Sequence, residues 1–372
     1  MTEPGPTATP PARSLVHDAV VFVACVLLAV VPTVTLLSAN EGDPTALLRV
    51  GDRSASRGFV ERDLPDPVLS RGFGHDGQQF YVMASTFPDM QEADGHVDRL
   101  RYRARRVLLP AVVSPFPAGA PTVWAILGVN LAAIGAAGVA LSRLAQRIRA
   151  PWWIGAAVAL SPALALSARA SLADALAFAL ALWGVVLWRR HLWWAVALFT
   201  LAALARETSL VVPAACLLLG SRARDRLTLL VPFVVYGVWT IVVSLWIQPS
   251  DAGSSSPLGD ATRQLALPFE AFAQIGPSTS VYFGMLLFVA SLAAAWRLRR
   301  PLPELSLWLA ADAVLLVTAA TGVAEDAWNL TRLAPLAVPA LLLALATPEE
   351  VAAGSVTPPA RRTGSAAPDL VG

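Results

Sequence analysis

Residues 20–37 and 227–247 contain no charged side chain. A run of about 18 or more such residues is long enough to cross the roughly 30 Å hydrocarbon core of a bilayer as one helix. Several runs of this kind exclude a single soluble domain. The charged fraction, 15% of 372 residues, lies below the about 25% of an average soluble domain, and the deficit is concentrated in these runs. The expected fold is therefore all-α and integral to a membrane.

The remaining composition removes other classes. Every basic residue is arginine, and no basic stripe interleaves with aromatics on a soluble module, which argues against nucleic acid as a partner. Cys25 and Cys216 both lie in apolar runs and read as small core residues, not as a disulfide or metal pair. Four scattered histidines offer no ligand spacing, so no cofactor and no metal-ligand set is predicted, while dependence on a divalent metal stays open. Residues 1–19 read as a polar cytoplasmic tail. The apolar run behind them lacks a small-residue cleavage site, so it reads as a retained first helix.

The chain then divides as follows. Residues 20–38 form a first span, and 39–106 a long polar segment rich in Gly, Asp and Arg. Residues 107–117 are apolar but too short to span, and hold Pro110, Pro115 and Pro117, which suggests a partly inserted element. Spans are predicted over 121–142, 152–168, 171–188, 227–247, 280–296, 304–323 and 331–347. The tail from 348 is rich in Pro, Ala, Gly and Ser and reads as disordered and cytoplasmic. No internal repeat of the transporter kind is visible.

The stretch 192–219 carries Arg206 and Glu207 at its midpoint. It is either one helix burying both charges or a hairpin of two short helices meeting at them. Short cytoplasmic loops collect arginine, and this bias decides. With a hairpin and the N-terminus inside, Arg143, Arg147, Arg149, Arg189, Arg190, Arg222, Arg224, Arg226, Arg297, Arg299 and Arg300 all face the cytoplasm. Only Arg169, Arg206, Arg263 and Arg332 fall in short outer loops. A single helix would expel the later inner arginines, with Arg361 and Arg362 of the tail. The hairpin gives about ten crossings, with the 20–347 membrane domain between two cytoplasmic tails and 39–106 as an extracytoplasmic loop.

This topology gathers polar residues on the outer face. Gly74-His75-Asp76-Gly77-Gln78-Gln79-Phe80-Tyr81 places an aspartate between glycines. Phe80, Met83, Ala84 and Phe87 follow near helical spacing, so an amphipathic helix could lie flat in the interface. The plainer reading is an Asp-Gly turn with Asp76 as a helix cap. In Arg101-Tyr102-Arg103-Ala104-Arg105-Arg106, a helix would put Tyr102 and Arg106 on one face and Arg101 and Arg105 on another. Such guanidinium groups suit phosphate, or simply anchor lipid headgroups. Arg206 and Glu207 are either functional or an ion pair closing the hairpin. Asp174 and Arg332 share their side, as do Glu325, Asp326 and the 248–279 loop. Asp312 is the one clear acid within a span away from the outer end, with an open role.

Taken in order, these motifs resemble a known group. A first helix, a long outer loop with an acid, many helices and a polar hairpin resemble the GT-C superfamily of membrane glycosyltransferases. His-Asp-Gly-Gln-Gln-Phe-Tyr at 75–81 resembles the Y-D-G-Q-F-Y motif of an uncharacterised bacterial GT-C-like group. Arg101 to Pro110 is similar to its R-Y-x-R-I-x-x-P stretch, and Leu204 to Pro213 to its L-x-R-E-T-x-L-x-x-P. The resemblance covers roughly residues 20–346. His75 stands where that group often has tyrosine, and Asp43 and Asp52 lie nearer the first helix, where the superfamily's acid is usual.

The resemblance implies inverting transfer of a sugar from a polyprenyl-phosphate donor to an extracytoplasmic acceptor, a glycan, lipid or protein. It implies Asp76 and Glu207 as catalytic carboxylates, Arg103, Arg105, Arg106, Arg206 and Arg332 as donor-phosphate ligands, and His75, Gln78, Tyr81, Tyr102 and Asp174 in support. The alternative from another class is a non-enzymatic membrane protein, a transporter or an assembly partner in lipid or polysaccharide export.

Overall fold

The computed structural model describes residues 12–247, 279–317 and 327–354. The expectations for Arg263, Glu325, Asp326, Arg361 and Arg362, and for most of both tails and of the 248–279 loop, lie outside these residues.

The described residues are mostly helical, with almost no strand. The chain opens on α1 (Ala12–Ser38), which starts within the segment read from sequence as a polar tail. The polar segment 39–106 is not an open loop. It folds through α2 (Arg57–Asp63), α3 (Asp76–Thr86), α4 (Leu100–Arg103) and two 3₁₀ turns, with a two-residue parallel pairing of β1 (Val50–Gly51) and β2 (Leu69–Ser70). Short α5 (Leu108–Val113) leads into α6 (Ala120–Arg147). Then follow α7 (Pro162–Arg169), α8 (Asp174–Leu187), α9 (Leu192–Ala205), α10 (Val211–Leu219), α11 (Ala223–Leu229) and α12 (Val231–Trp246). The last elements are α13 (Thr279–Leu298), α14 (Pro303–Val317), α15 (Ala327–Thr331), α16 (Ala337–Ala346) and α17 (Glu349–Ala353).

Among the described residues three stretches, Leu15–Ser38, Ala120–Arg147 and Ala223–Trp246, are long and apolar enough to cross a membrane. Their outward faces agree with that. Val20, Val23, Leu27 and Val31 of α1 are about half exposed or more, as are Val234, Val238, Ile241 and Leu245 of α12. Contiguous apolar surface of this extent is rare on a water-soluble monomer and marks a surface made for an apolar environment.

Two spans read as continuous from the sequence are broken. Residues 152–168 form a 3₁₀ helix over Trp152–Leu160 and then α7, divided at Ser161. Pro162 brings no amide hydrogen and can only open a new helix. The 3₁₀ segment also crosses α6 closely: a Cβ on Gly155 would meet the Gly138 carbonyl oxygen at 2.4 Å, the close backbone approach that small residues allow in membrane helices. The final span, read as 331–347, becomes helical only at Ala337 after a turn holding Pro335. Arg332 therefore sits in a turn and not at a helix head.

α8 and α9 pack closely along their length, with the Phe199 ring over Gly184, where any Cβ would lie 2.3 Å from the ring. The chain breaks at Arg206, whose backbone is extended (φ −159°, ψ 123°). A 3₁₀ turn over Glu207–Leu210 then leads into α10. α10 packs on α14, and its Cys216 lies within electrostatic reach of Glu304 and Arg189. Glu304 accepts hydrogen bonds from Trp188 (2.9 Å) and Arg189 (2.7 Å) just past the far end of α8. The far end also collects Arg143 on Asp18, Arg147 on the Val186 carbonyl, and Arg297 on the Ala344 and Thr347 carbonyls. The opposite end, marked by Asp174 at the start of α8, holds the candidate site.

Candidate functional site

Asp76 is the first residue of α3, where exposed backbone N–H groups favour a carboxylate. Its entry is fixed by Gly74, in the left-handed region at φ 70°, where a Cβ would also lie 2.2 Å from the Arg49 carbonyl oxygen. Gly77 has a different reason: a Cβ there would meet the Ala170 carbonyl oxygen at 2.3 Å. The start of α3 is thus pressed against the turn between α7 and α8. This close approach, invisible in the sequence, brings Asp76 alongside the residues at the start of α8.

The expectation that α3 lies flat in the membrane interface is corrected. Phe80, Tyr81, Val82 and Met83 are all 1% exposed or less, because α2, α5, α6 and the 3₁₀ turn at Met90–Ala93 enclose the helix. No face remains for lipid.

Around Asp76 the structure assembles side chains from five separate parts of the chain. Arg103, at the end of α4, reaches the Asp76 carboxylate at 2.6 Å, and Arg332 reaches it at 2.9 Å. Arg106, one turn beyond Arg103, is 3.9 Å away. Each of these arginines also holds another acid: Arg103 binds Asp98 at 3.2 Å, Arg106 binds Glu207 at 2.5 Å, and Arg332 binds Asp174 at 3.3 Å. Arg206 pairs with Asp174 as well. Tyr102 donates to Glu207 (3.1 Å) and its ring lies under the Arg106 guanidinium at 4.7 Å.

The sequence-predicted residues divide accordingly. Asp76, Arg103, Arg106, Asp174, Arg206, Glu207, Arg332 and Tyr102 form one connected network. Arg105 does not join it: its charge lies within reach of Tyr236 on α12, and its Nε has no hydrogen-bond partner among the described residues. Gln78 accepts from the Gly51 amide (3.1 Å) and donates to the Phe73 carbonyl (2.6 Å), tying the 39–106 segment to itself. The Tyr81 hydroxyl lies between Asp63 (3.1 Å) and the Gly119 amide (2.8 Å), and so fastens α3 to the start of α6. His75 precedes α3 as its N-cap residue without a side-chain capping hydrogen bond, and its amide donates to the Arg49 carbonyl at 3.0 Å.

The rival acids have local employment. Asp43 accepts from the Thr45 amide and Asp52 from the Gly72 amide. Asp312 is buried in α14 against Trp308. Asp98, which no sequence motif singles out, joins through Arg103; it lies before α4 and five residues from Arg103, outside the helical pair spacings that would have signalled it.

The electrostatics of the site are tight. Asp76 and Glu207 are each drawn down by neighbouring guanidinium groups. Arg332, Arg103 and Arg106 overcome the cost of partial burial and hold Asp76 far below the usual carboxylate range. Arg106 does the same for Glu207, which falls to about 2. Asp76 is 17% exposed and Glu207 26%, whereas Asp174 is 3% exposed. The network is thus open at Asp76 and Glu207 and closed at Asp174. Among the described residues no cluster of acids and histidines could hold a metal ion; each network carboxylate already faces a guanidinium that a dication would have to displace.

The arrangement can do two things chemically. Planar guanidinium groups anchored at one side by carboxylates present their other donors to an anion, in the bidentate geometry that phosphate takes. A carboxylate among them can accept a proton when those donors are engaged elsewhere. No protein family, curated protein or solved structure matches this chain.

Proposed function

We propose that this protein is a polytopic membrane glycosyltransferase. It takes a sugar from a polyprenyl-phosphate donor and passes it, with inversion, to an acceptor hydroxyl on the outer side of the membrane. The observation that carries this reading is the convergence of Arg103, Arg106, Arg206 and Arg332 on Asp76, Asp174 and Glu207 at one end of the bundle. Arginines from such distant positions repel one another when brought together, and a site that recurrently binds an anionic leaving group gives a reason to gather them. A lipid phosphate departing from the anomeric carbon accumulates negative charge in the transition state, and fixed cations stabilise it. Asp76 is the proton acceptor in this reading, since it is a solvent-reached carboxylate standing directly among the arginines that would hold the donor phosphate.

In this reading the chain crosses the membrane about ten times, with both termini in the cytoplasm and the 39–106 segment outside. The arginine-rich far end of the bundle is then cytoplasmic, as the charge bias of short inner loops requires. Cysteine labelling from outside the cell should modify a cysteine placed at Glu207 and spare one at Arg224. Labelling at Arg224 alone would invert the orientation and remove the site from the compartment where lipid-linked sugars are used.

The activity itself is tested in a deletion strain by mass spectrometry of cell-envelope glycans and lipid-linked sugars. Loss of one sugar from a glycan, with accumulation of its lipid-phosphate form, is the expected result. An unchanged sugar profile with a defect in export would favour the non-enzymatic assembly partner or transporter.

A further inference from the structure

The three contacts on Asp76 make its two assignments incompatible at one moment. A carboxylate held by Arg103, Arg332 and Arg106 has little basicity, and guanidinium groups occupied by a carboxylate have less to offer a phosphate. We propose that the Asp76 carboxylate and the phosphate of the lipid-linked donor exchange for the same guanidinium groups, so that donor binding itself releases Asp76 as the base. This rests on the glycosyltransferase reading above and adds a regulation to it.

Two features of the geometry support the exchange. First, the cradle does not depend on Asp76. Arg103 stays on Asp98, Arg106 on Glu207 and Arg332 on Asp174 when Asp76 leaves. The arginines therefore remain in place for the incoming anion. Second, Asp76 is at the open side of the network and Asp174 at the closed side, by their 17% and 3% exposure. Of the two acids that Arg332 bridges, Asp76 is the one an incoming ligand meets and exchanges with, and the buried Asp174 is structural.

The chemistry then closes into a cycle. The donor phosphate takes the guanidinium groups, and the freed Asp76 carboxylate recovers ordinary basicity. The acceptor oxygen forms its bond to the anomeric carbon as the carbon–oxygen bond to phosphate breaks. The electron pair of that bond stays on the phosphate oxygen, and the acceptor's proton passes to Asp76. Loss of this proton to water restores a carboxylate that competes again for the arginines and helps expel the polyprenyl phosphate. The free protein is thereby kept from wasting donor on water, because its base is silent until the phosphate is seated.

The test is binding of undecaprenyl phosphate to the full chain in lipid nanodiscs, wild type against Asp76→Asn. Removing the competing charge should tighten binding by about tenfold or more, even though turnover is lost, since an anion beside several partly buried cations is worth more than one such decade. Binding by folded Asp76→Asn that equals or falls below wild type overturns the exchange and leaves the phosphate site standing. No binding by either protein overturns the exchange and the glycosyltransferase reading together. Should Asp76→Asn fail to fold, Asp76→Ser serves, because it also removes the charge that competes for Arg103 and Arg332; a folded Asp76→Ser that binds no more tightly than wild type overturns the exchange.

Discussion

Asp76→Asn is expected to lower glycosyl transfer by about 10²–10⁴-fold, the usual worth of a positioned general base, with the protein still folded and inserted. The amide keeps the shape and one of the two close contacts: Arg103 and Arg332 meet different oxygens of Asp76, at 2.6 and 2.9 Å, and the single amide oxygen can accept from only one of them. What it loses is the ability to take the acceptor's proton. The measurement is the rate of sugar transfer from a polyprenyl-phosphate donor by membranes carrying each protein at matched abundance. Turnover within about threefold of wild type, far short of a lost general base, would remove Asp76 from the chemistry. Glu207 would then be the next carboxylate to replace, because, like Asp76, it faces Arg106 and is reached by solvent.

Asp174→Ala should instead strike the fold. Its carboxylate holds Arg206 and Arg332 while only 3% exposed. Removing one partner of a buried ion network leaves uncompensated charge inside, at a cost of about 3–5 kcal/mol. For Asp98→Ala, whose carboxylate is 54% exposed, the corresponding loss is about 1 kcal/mol or less. Thermal unfolding of the two variants in the same detergent separates these values. Equal melting temperatures would show that the Asp174 contacts contribute no more than a surface pair, and Arg206 and Arg332 would then need another anchor.

Much of the network is legible in the amino-acid sequence. The arginine asymmetry between loops assigns Arg206, Arg332, Asp174 and Asp76 to one side of the bundle, because membrane insertion sorts charge by side. The break at Arg206–Glu207 follows from the arginine bias of the short loops on either side of it, and the chain does leave its helix there. The helical spacing of Tyr102 and Arg106 puts them on one face, and both meet Glu207. Less legible are distinctions within a motif. Arg103 and Arg106 turn to Asp76 while Arg105, between them, does not, and the difference lies in a turn of irregular backbone that no fixed periodicity describes.

What the sequence determined by itself is the apolar, helical character of the chain and the side on which each charge is expected. Both follow from local quantities, the length of uncharged runs and the identity of loop residues. The tertiary structure alone decided that α3 is enclosed and not interfacial, and that residues 152–168 break at Ser161. It also decided that Gly77 admits the Ala170 carbonyl, at 2.3 Å from where a Cβ would be. That contact sets Asp76 beside Arg332, 256 residues away in the chain. Pairings of this kind depend on how closely two backbones approach, and close approach is a property of packed elements together, never of either segment read alone.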